Sequence, residues 1–308
     1  MSVNSQTQNQ NQSVTSTVEK KQAPNAFVRW MRLLFKSKTG TFGFIIVLAV
    51  ILVAIFAKFL APYDPNMINP AAMLKPPVWV EGGSAEHILG TDNLGRDMLS
   101  RIIYGSQISL LVGLSAVALA GVIGVFVGLV AGYYGGFVDN VLMRLVDSFL
   151  AIPTILFALV ILSIFGPSVT TLIVVLGITN WVQYARLVRG EVLSIKEREF
   201  VKAAKSIGVR DNKIILKHLL PNVISPFIVI STLSVATTII LEASLSFLGL
   251  GIQPPTISWG GILSDGRDYI ATSWWLATFP GLAITITVLA IIFLGDWLRD
   301  VLDPRSTN

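Results

Sequence analysis

Six runs of apolar residues interrupt an otherwise polar chain, each long enough to cross a hydrocarbon layer, which takes about 20 residues at 1.5 Å rise per residue. They lie at roughly 42–61, 108–132, 150–166, 168–186, 222–242 and 277–297. Hydrophobicity is nearly uniform from Phe149 to Gly177, so only Gly166-Pro167 separates the third run from the fourth, and that pair makes a tight turn. The pattern predicts an all-α membrane protein with six transmembrane helices. Between the first and second runs stands a polar segment, 62–105, that begins Ala-Pro-Tyr-Asp-Pro and contains Pro76-Pro77. Its first half reads as irregular and 94–107 as helical. Such a connection is too long to be passive, because long loops are commonly functional.

Basic residues sort by side. Lys20, Lys21, Arg29, Arg32, Lys36 and Lys38 precede the first run, and Arg186, Arg189, Lys196, Arg198, Lys202, Lys205, Arg210, Lys213 and Lys217 lie between the fourth and fifth. The positive-inside bias puts both segments in the cytoplasm. Six crossings then leave 62–107 and 243–276 outside, where Lys75, Arg96, Arg101 and Arg267 are the only basic residues. Arg144, Arg299 and Arg305 also fall inside, so about 18 of the 23 basic residues are cytoplasmic, and shifting the frame by one span would destroy that sorting. The resulting plan is a cytoplasmic polar tail (1–40), a first span (41–61), an extracellular insertion (62–105), a core of five spans (106–298) with a cytoplasmic loop at 187–221, and a cytoplasmic tail (299–308). Residues 1 to about 25, rich in Gln and Asn, read as disordered. The first apolar run is too long for a cleavable signal.

Composition agrees with lipid as solvent: 53% hydrophobic, 13% charged, mean hydropathy +0.70. There is no cysteine, which removes disulfides and thiolate metal sites, and His87 and His218 alone make no histidine metal centre. A net charge of +5 would suit nucleic acid if it formed a patch, but the charges flank membrane spans, so no nucleic-acid partner is expected. Asp92, Asn93 and Asp97 lack the ligand count and acidic twelfth position of a calcium loop, and helix capping after Gly90 explains them better.

The cytoplasmic loop REFVKAAKSIGVRDNKIILKHLLPNVISP reads as two short helices. Gly208 divides them, since glycine tolerates the left-handed cap, and Asp211 is placed to N-cap a second helix that runs to Leu220 before Pro221. Ile214, Ile215, Leu216, Leu219 and Leu220 then face the cytosol unless something covers them, while Ala203 and Ala204 allow close approach by another surface. A partner's groove and a bed of lipid headgroups both suit such a helix.

Three further features stand out. Ala116, Ala120, Gly124, Gly128 and Gly132 recur every four residues, a small-residue seam for packing within this chain or beside a translocation path. Glu242, at the outer end of the fifth run, is costly unless it faces water, a partner or the bundle interior; a structural hydrogen-bonding role and a gating or peptide-ammonium role both remain open. Arg144 and Asp147, three apart, share a helix face and can pair.

The spacing Lys202-Ala203-Ala204, three residues, Gly208, nine residues, His218-Leu219-Leu220-Pro221 resembles the EAA loop of ABC importer permeases. Lys202 stands where that loop has glutamate and His218 where isoleucine is usual, so a salt bridge built on the glutamate does not carry over. LGTDNLGRDMLSRIIYGSQISL at 89–110, GGFVDNVLMRLVDSFLAIP at 135–153, LEASLSFLGLGIQPPTISWGGIL at 241–263 and WWLATFPGLAITITVLAIIFLGDWLRDVLDPR at 274–305 resemble the dipeptide and oligopeptide permease family, and within it the C-type subunit.

That resemblance implies the type I ABC importer permease fold in a bacterial inner membrane, with both termini cytoplasmic. It also implies a homologous permease partner, two ATPase subunits and an extracellular binding protein that delivers peptide. Ala203, Ala204, Gly208, Asp211, Leu219, Leu220 and Pro221 would hold the ATPase. ATP and Mg would belong to the ATPases, because the chain has no G-x-x-x-x-G-K-[ST] loop, and no cofactor or enzymatic activity is expected of it. Nickel chelates, glutathione or another small solute remain alternative cargoes. An intramembrane enzyme would need ionisable groups at midplane depth, and a self-sufficient channel or carrier would show polar, broken helices there; the runs offer little of either.

Overall fold

The computed structural model describes residues 26–302. The expected disorder of 1–25 and the cytoplasmic assignment of Arg305 lie outside the described residues.

Helix α1 (Ala26–Lys36) meets α2 (Lys38–Ile55) at Ser37, whose Oγ accepts the Gly40 N–H at 3.1 Å and so starts the first span. A single turn, α3 (Ala57–Leu60), leads into the irregular insertion, which ends where Asp97 accepts the Ser100 N–H at 2.8 Å and caps α4 (Met98–Tyr134). With 37 residues α4 is about 55 Å long, so it stands well proud of a hydrocarbon layer of about 30 Å. It begins ten residues before the apolar run that announced it, at residue 108.

The third span departs from expectation. Gly135 and Gly136, with φ of +66° and +53°, turn the chain into α5 (Gly136–Leu150), and α6 (Thr154–Phe165) follows at an 83° bend. Only 12 residues, about 18 Å, remain in α6, so the crossing expected at 150–166 is the second helix of a bent pair. Hydrophobicity runs unbroken through Ala151-Ile152, and the break comes from Pro153, which drives the preceding residue away from helical geometry. Among the described residues five helices are each long and apolar enough to span, and six crossings result if the bent pair is one span. Gly166 (φ +79°) then makes the expected turn into α7 (Val169–Lys196), capped by Ser168. Next come α8 (Glu199–Ser206), α9 (Asp211–Ile214), α10 (Leu220–Leu245), α11 (Trp259–Gly266) and α12 (Trp275–Leu302). The described residues hold no strand beyond an isolated bridge between Thr91 and Asp97.

The most extensive helix contact is α4 on α7. Ala116, Ala120, Gly124, Gly128 and Gly132 are all buried, and the glycine part of the stripe lies directly on α7 of the same chain. A Cβ at Gly124 would sit 2.3 Å from Tyr184 Cβ and 2.5 Å from the Trp181 carbonyl oxygen; one at Gly128 would sit 2.7 Å from the Ala185 carbonyl oxygen. Apolar side chains gain little by leaving lipid for one another, so backbone approach of this kind is what holds the pair. Around it α10 and α12 pack together, and α2 reaches α12 through Gly43, whose Cβ position is 2.6 Å from the Ala290 carbonyl oxygen.

Substitution of Gly124 by Ala forces α4 off the α7 backbone and is expected to cost about 1–3 kcal/mol, read as a lower thermal midpoint in detergent. Gly190→Ala, where nothing lies within 4 Å of the added methyl, is the control and should be neutral or slightly stabilising.

Candidate functional site

Past its apolar part α7 continues to Lys196 and carries the polar surface at that end of the bundle. Arg189 forks onto Asp139 of α5, Nε to Oδ1 at 2.5 Å and Nη2 to Oδ2 at 2.6 Å, and Lys196 Nζ donates to the Gly132 carbonyl oxygen at 2.9 Å. Asp147 pairs with Arg186 of α7 at 2.5 Å and not with Arg144 as its spacing suggested; a helix one bundle position away supplies the nearer cation. Both partners are more than half exposed, so that pair adds little.

The expected two helices are present, and Gly208 (φ +78°) separates them in the left-handed region. Three expectations for the second helix need correction. Asp211 is not its N-cap: Arg210 holds that position without a side-chain bond, and Asp211 Oδ1 accepts the Tyr133 hydroxyl at 2.5 Å, tying the loop to the end of α4. Ile214 and Leu219 do not face the cytosol, because they are buried with Val188, Val192, Ile195, Val201 and Val223, and Ile215 and Leu220 are half-buried against them. Nor does the helix stop before Pro221. A π-helical turn, Ile215–Leu219, joins α9 to α10, and Pro221 occupies the first turn of α10, where its missing N–H costs least. The Asn222 side-chain amide donates to the His218 carbonyl oxygen at 2.7 Å across this junction.

Ala203 and Ala204 part company. Ala204 packs inward, while Ala203 is exposed with Phe200 and Ile207, at i, i+3 and i+7 along one face of the loop. Ile207 is 80% and Leu216 61% exposed, and Gly208 leaves open space at the same turn. Exposed Lys202, Lys205, Arg210, Lys213 and Lys217 belong to the same loop. Lys202 Nζ lies 3.0 Å from Glu197 Oε2, and this hydrogen bond holds the Glu197 carboxyl below its ordinary range. The open face is thus a small apolar patch in basic surroundings, and Pro221 is exposed as well. Phe200 and Ile207 were not singled out from the sequence, although their spacing with Ala203 was visible there.

At the outer end a second polar assembly was missed. Arg96 Nε lies 2.6 Å from Asp92 Oδ2, Arg101 Nη1 pairs with the same oxygen, and Arg101 Nη2 reaches Asp265 of α11 at 3.0 Å. The side chains of Arg96, Arg101 and Asp92 are all under a tenth exposed, whereas that of Asp265 is 40% exposed. His87 Nδ1 meets Asp97 Oδ1 at 3.0 Å beside it, and Trp275 Nε1 donates to the Thr91 carbonyl oxygen at 3.1 Å. The sequence showed these charges, but Asp265, which joins them to α11, is 164 residues from Arg101. Two open cavities of about 550 and 700 Å³ flank this block, sharing Asn66 and Pro255. No cluster of metal-ligating side chains occurs among the described residues.

Glu242 lies at the inner edge of the same block and is 1% exposed. Its Oε1 accepts the hydroxyls of Ser246 at 2.9 Å and Ser258 at 2.8 Å, and Oε2 has no partner.

Comparison with known proteins adds three findings. Residues 124–308 match the family described as binding-protein-dependent transport system inner membrane component, and residues 27–77 match the N-terminal TM domain of oligopeptide transport permease C. The chain is 46% identical to the dipeptide transport system permease protein DppC of Escherichia coli K12, covering 88% of this chain and 90% of that one. It is 40% identical to the di/tripeptide transport system permease protein DppC of Pseudomonas aeruginosa, covering 92% and 94%. A chain of the inward-facing MetNI methionine ABC transporter superposes with a TM-score of 0.55 at 21% identity, over 67% of this chain and 97% of that one, a likeness of fold.

Asp92→Ala strands two buried guanidinium groups and is expected to destabilise the outer block by about 3–5 kcal/mol, read as faster protease cleavage between residues 62 and 97. Asp265→Asn should cost much less, because its half-exposed carboxylate leaves Asp92 in place.

Proposed function

Because the chain belongs to the family of binding-protein-dependent transport system inner membrane components, we propose that it is the permease subunit of an ATP-driven importer of dipeptides or oligopeptides. Identity of 46% to a dipeptide permease over nine-tenths of that protein is the observation that carries the cargo. The chain contributes half of the translocation pathway. A homologous permease supplies the other half, two separate ATPases bind ATP and Mg, and an extracellular binding protein delivers peptide to the outer face. Both termini lie in the cytoplasm, in keeping with the distribution of basic residues.

The ATPase docks on the loop at 187–221. What supports this over a lipid-lying helix is the fate of the large apolar residues. An interfacial helix needs a broad apolar face, but Ile214 and Leu219 are consumed inside the chain, leaving Phe200, Ala203, Ile207 and Leu216 around Gly208. A patch of that size beside a tight turn fits a groove in a protein partner. Ala203, Gly208 and Pro221 belong to the docking face. Ala204, Asp211, Leu219 and Leu220 hold that face in shape from behind.

ATP-driven closure of the ATPases then pushes on α8 and α9 and switches the pathway between inward and outward access by rigid-body motion of the spans.

Two measurements test this reading. Ile207→Asp and Ala203→Glu should abolish copurification of the ATPases while leaving membrane insertion and thermal midpoint unchanged, whereas Ala204→Glu should lower the midpoint as well. Retained ATPase binding in Ile207→Asp would overturn the docking assignment. The chain lacks cysteine, so Ile207→Cys and Ile68→Cys give single labelling sites without further change. A membrane-impermeant maleimide should label residue 207 only from the cytoplasmic face and residue 68 only from outside.

A further inference from the structure

The second half of the loop that meets the ATPase and the carboxylate at the outer mouth lie on one helical rod. From Asp211 to Leu245 the chain runs through α9, the π turn and α10 with no intervening loop, and the turn that begins at Ser246 breaks at Gly249 (φ +85°). Its inner end is fastened by Asp211 to Tyr133 and by Ile214 and Leu219 to α7. About 45 Å further along, at the rise of an α-helix, stands Glu242.

Glu242 joins that rod to α11. Ser258, whose hydroxyl donates to Glu242 Oε1, is also the N-cap of α11, accepting the Gly261 N–H at 3.0 Å. Ser246, the other donor to Oε1, begins the turn where α10 ends. No spare room exists at this joint: a Cβ on Gly260 would come 2.7 Å from Ala243 Cα, and one on Gly251 would come 2.0 Å from Ser246 Oγ. From α11 the contacts continue outward. Trp259 donates through its backbone N–H to Ser109 Oγ at 3.1 Å and through Nε1 to the Ile102 carbonyl oxygen at 2.9 Å, and Asp265 takes Arg101. The outer ends of α4, α10 and α11 and the insertion therefore form one block, and within it Glu242 is the buried polar link to the rod, beside an exposed one from Arg267 Nη1 to the Phe247 carbonyl oxygen at 3.4 Å.

We propose that Glu242 is a positioning residue for transport, a hydrogen-bonded latch that makes α11 and the outer block follow the rod when the ATPases push on its inner end. The inference rests on the docking assignment above and adds the outer element that responds. The latch works through acceptance at Oε1 and not through attraction of a peptide ammonium group, because the carboxylate is sealed from both cavities and both hydroxyls converge on one oxygen. Glutamine preserves that acceptor, and leucine removes it at similar volume.

The test uses the complete transporter in proteoliposomes with its binding protein, recording peptide uptake and peptide-stimulated ATP hydrolysis together. Glu242→Leu should lower the number of peptides moved per ATP by roughly tenfold, the scale of coupling between distant sites, while hydrolysis continues. Glu242→Gln should stay within about twofold of the wild type in that ratio. Equal losses in the Gln and Leu variants would replace the latch by a charge role, and an unchanged ratio in the Leu variant would overturn it outright. A parallel fall of uptake, hydrolysis and assembled yield in the Leu variant passes the decision to the Ser246→Ala, Ser258→Ala double variant. There a roughly tenfold drop in the ratio supports the latch and an unchanged ratio sinks it. A wild-type complex that hydrolyses ATP without moving peptide would overturn the importer reading and the latch with it, so the two failures are distinguishable.

Discussion

Helices in lipid gain little from hiding apolar side chains, since the solvent is as apolar as they are; what binds them is the closeness that small residues permit. In this protein that closeness is concentrated where Gly124, Gly128 and Gly132 of α4 lie on the backbone of α7 around Trp181, Ala185 and Arg189. The remaining architecture hangs from the pair. Both helices are longer than a hydrocarbon layer of about 30 Å requires, and their overhanging ends are what fix the two polar ends of the bundle. At the inner side the overhang of α7 supplies Val188, Val192 and Ile195, against which Val201, Ala204, Ile214 and Leu219 find their core. At the outer side the overhang of α4 supplies Arg101 and Ser109, which hold α11.

The two overhangs use opposite chemistry, and the difference follows from the solvent. The inner surface carries an ordinary apolar core under a basic skin, which suffices to shape it. The outer block contains short, irregular chain, and beside its buried Met98, Trp259, Ile262 and Trp275 it is ordered by buried charge. Asp92 takes both arginines on one carboxylate oxygen, which is favourable only because each guanidinium has further acceptors nearby and none of the three groups is left alone in a dry interior. Such a network fixes geometry more than it adds stability.

Legibility from the sequence divides along the same line. Spans were readable because a hydrocarbon solvent imposes length and hydrophobicity, and the turns at Gly166 and Gly208 were readable because a positive φ selects glycine. The bend before α6 was not, since hydropathy is blind to Pro153 acting within an apolar run. The fates of Ile214 and Leu219 were hidden as well: their apolar character was plain, but whether the chain or a partner covers them depends on α7, which lies elsewhere in the sequence. Asp211 misled for a local reason. Its position suited a cap, yet Tyr133, the last residue but one of α4, offered a stronger partner.

Pro221 misled most usefully. Proline after a run of helix formers normally marks an end, because it lacks the N–H and crowds the preceding turn. Here the π turn widens the helix just before it, so the chain passes through with little loss and the inner loop becomes the start of a span instead of a separate helix. Two separate helices joined by a flexible stop would absorb a push at Gly208 locally. A continuous rod cannot absorb it without bending at the π turn or at Pro226, and the burial of Leu219 and Val223 braces the first of these. Displacement at the inner face must therefore either break that packing or appear at the far end of α10, where Glu242 and its two serines are the buried polar groups placed to receive it.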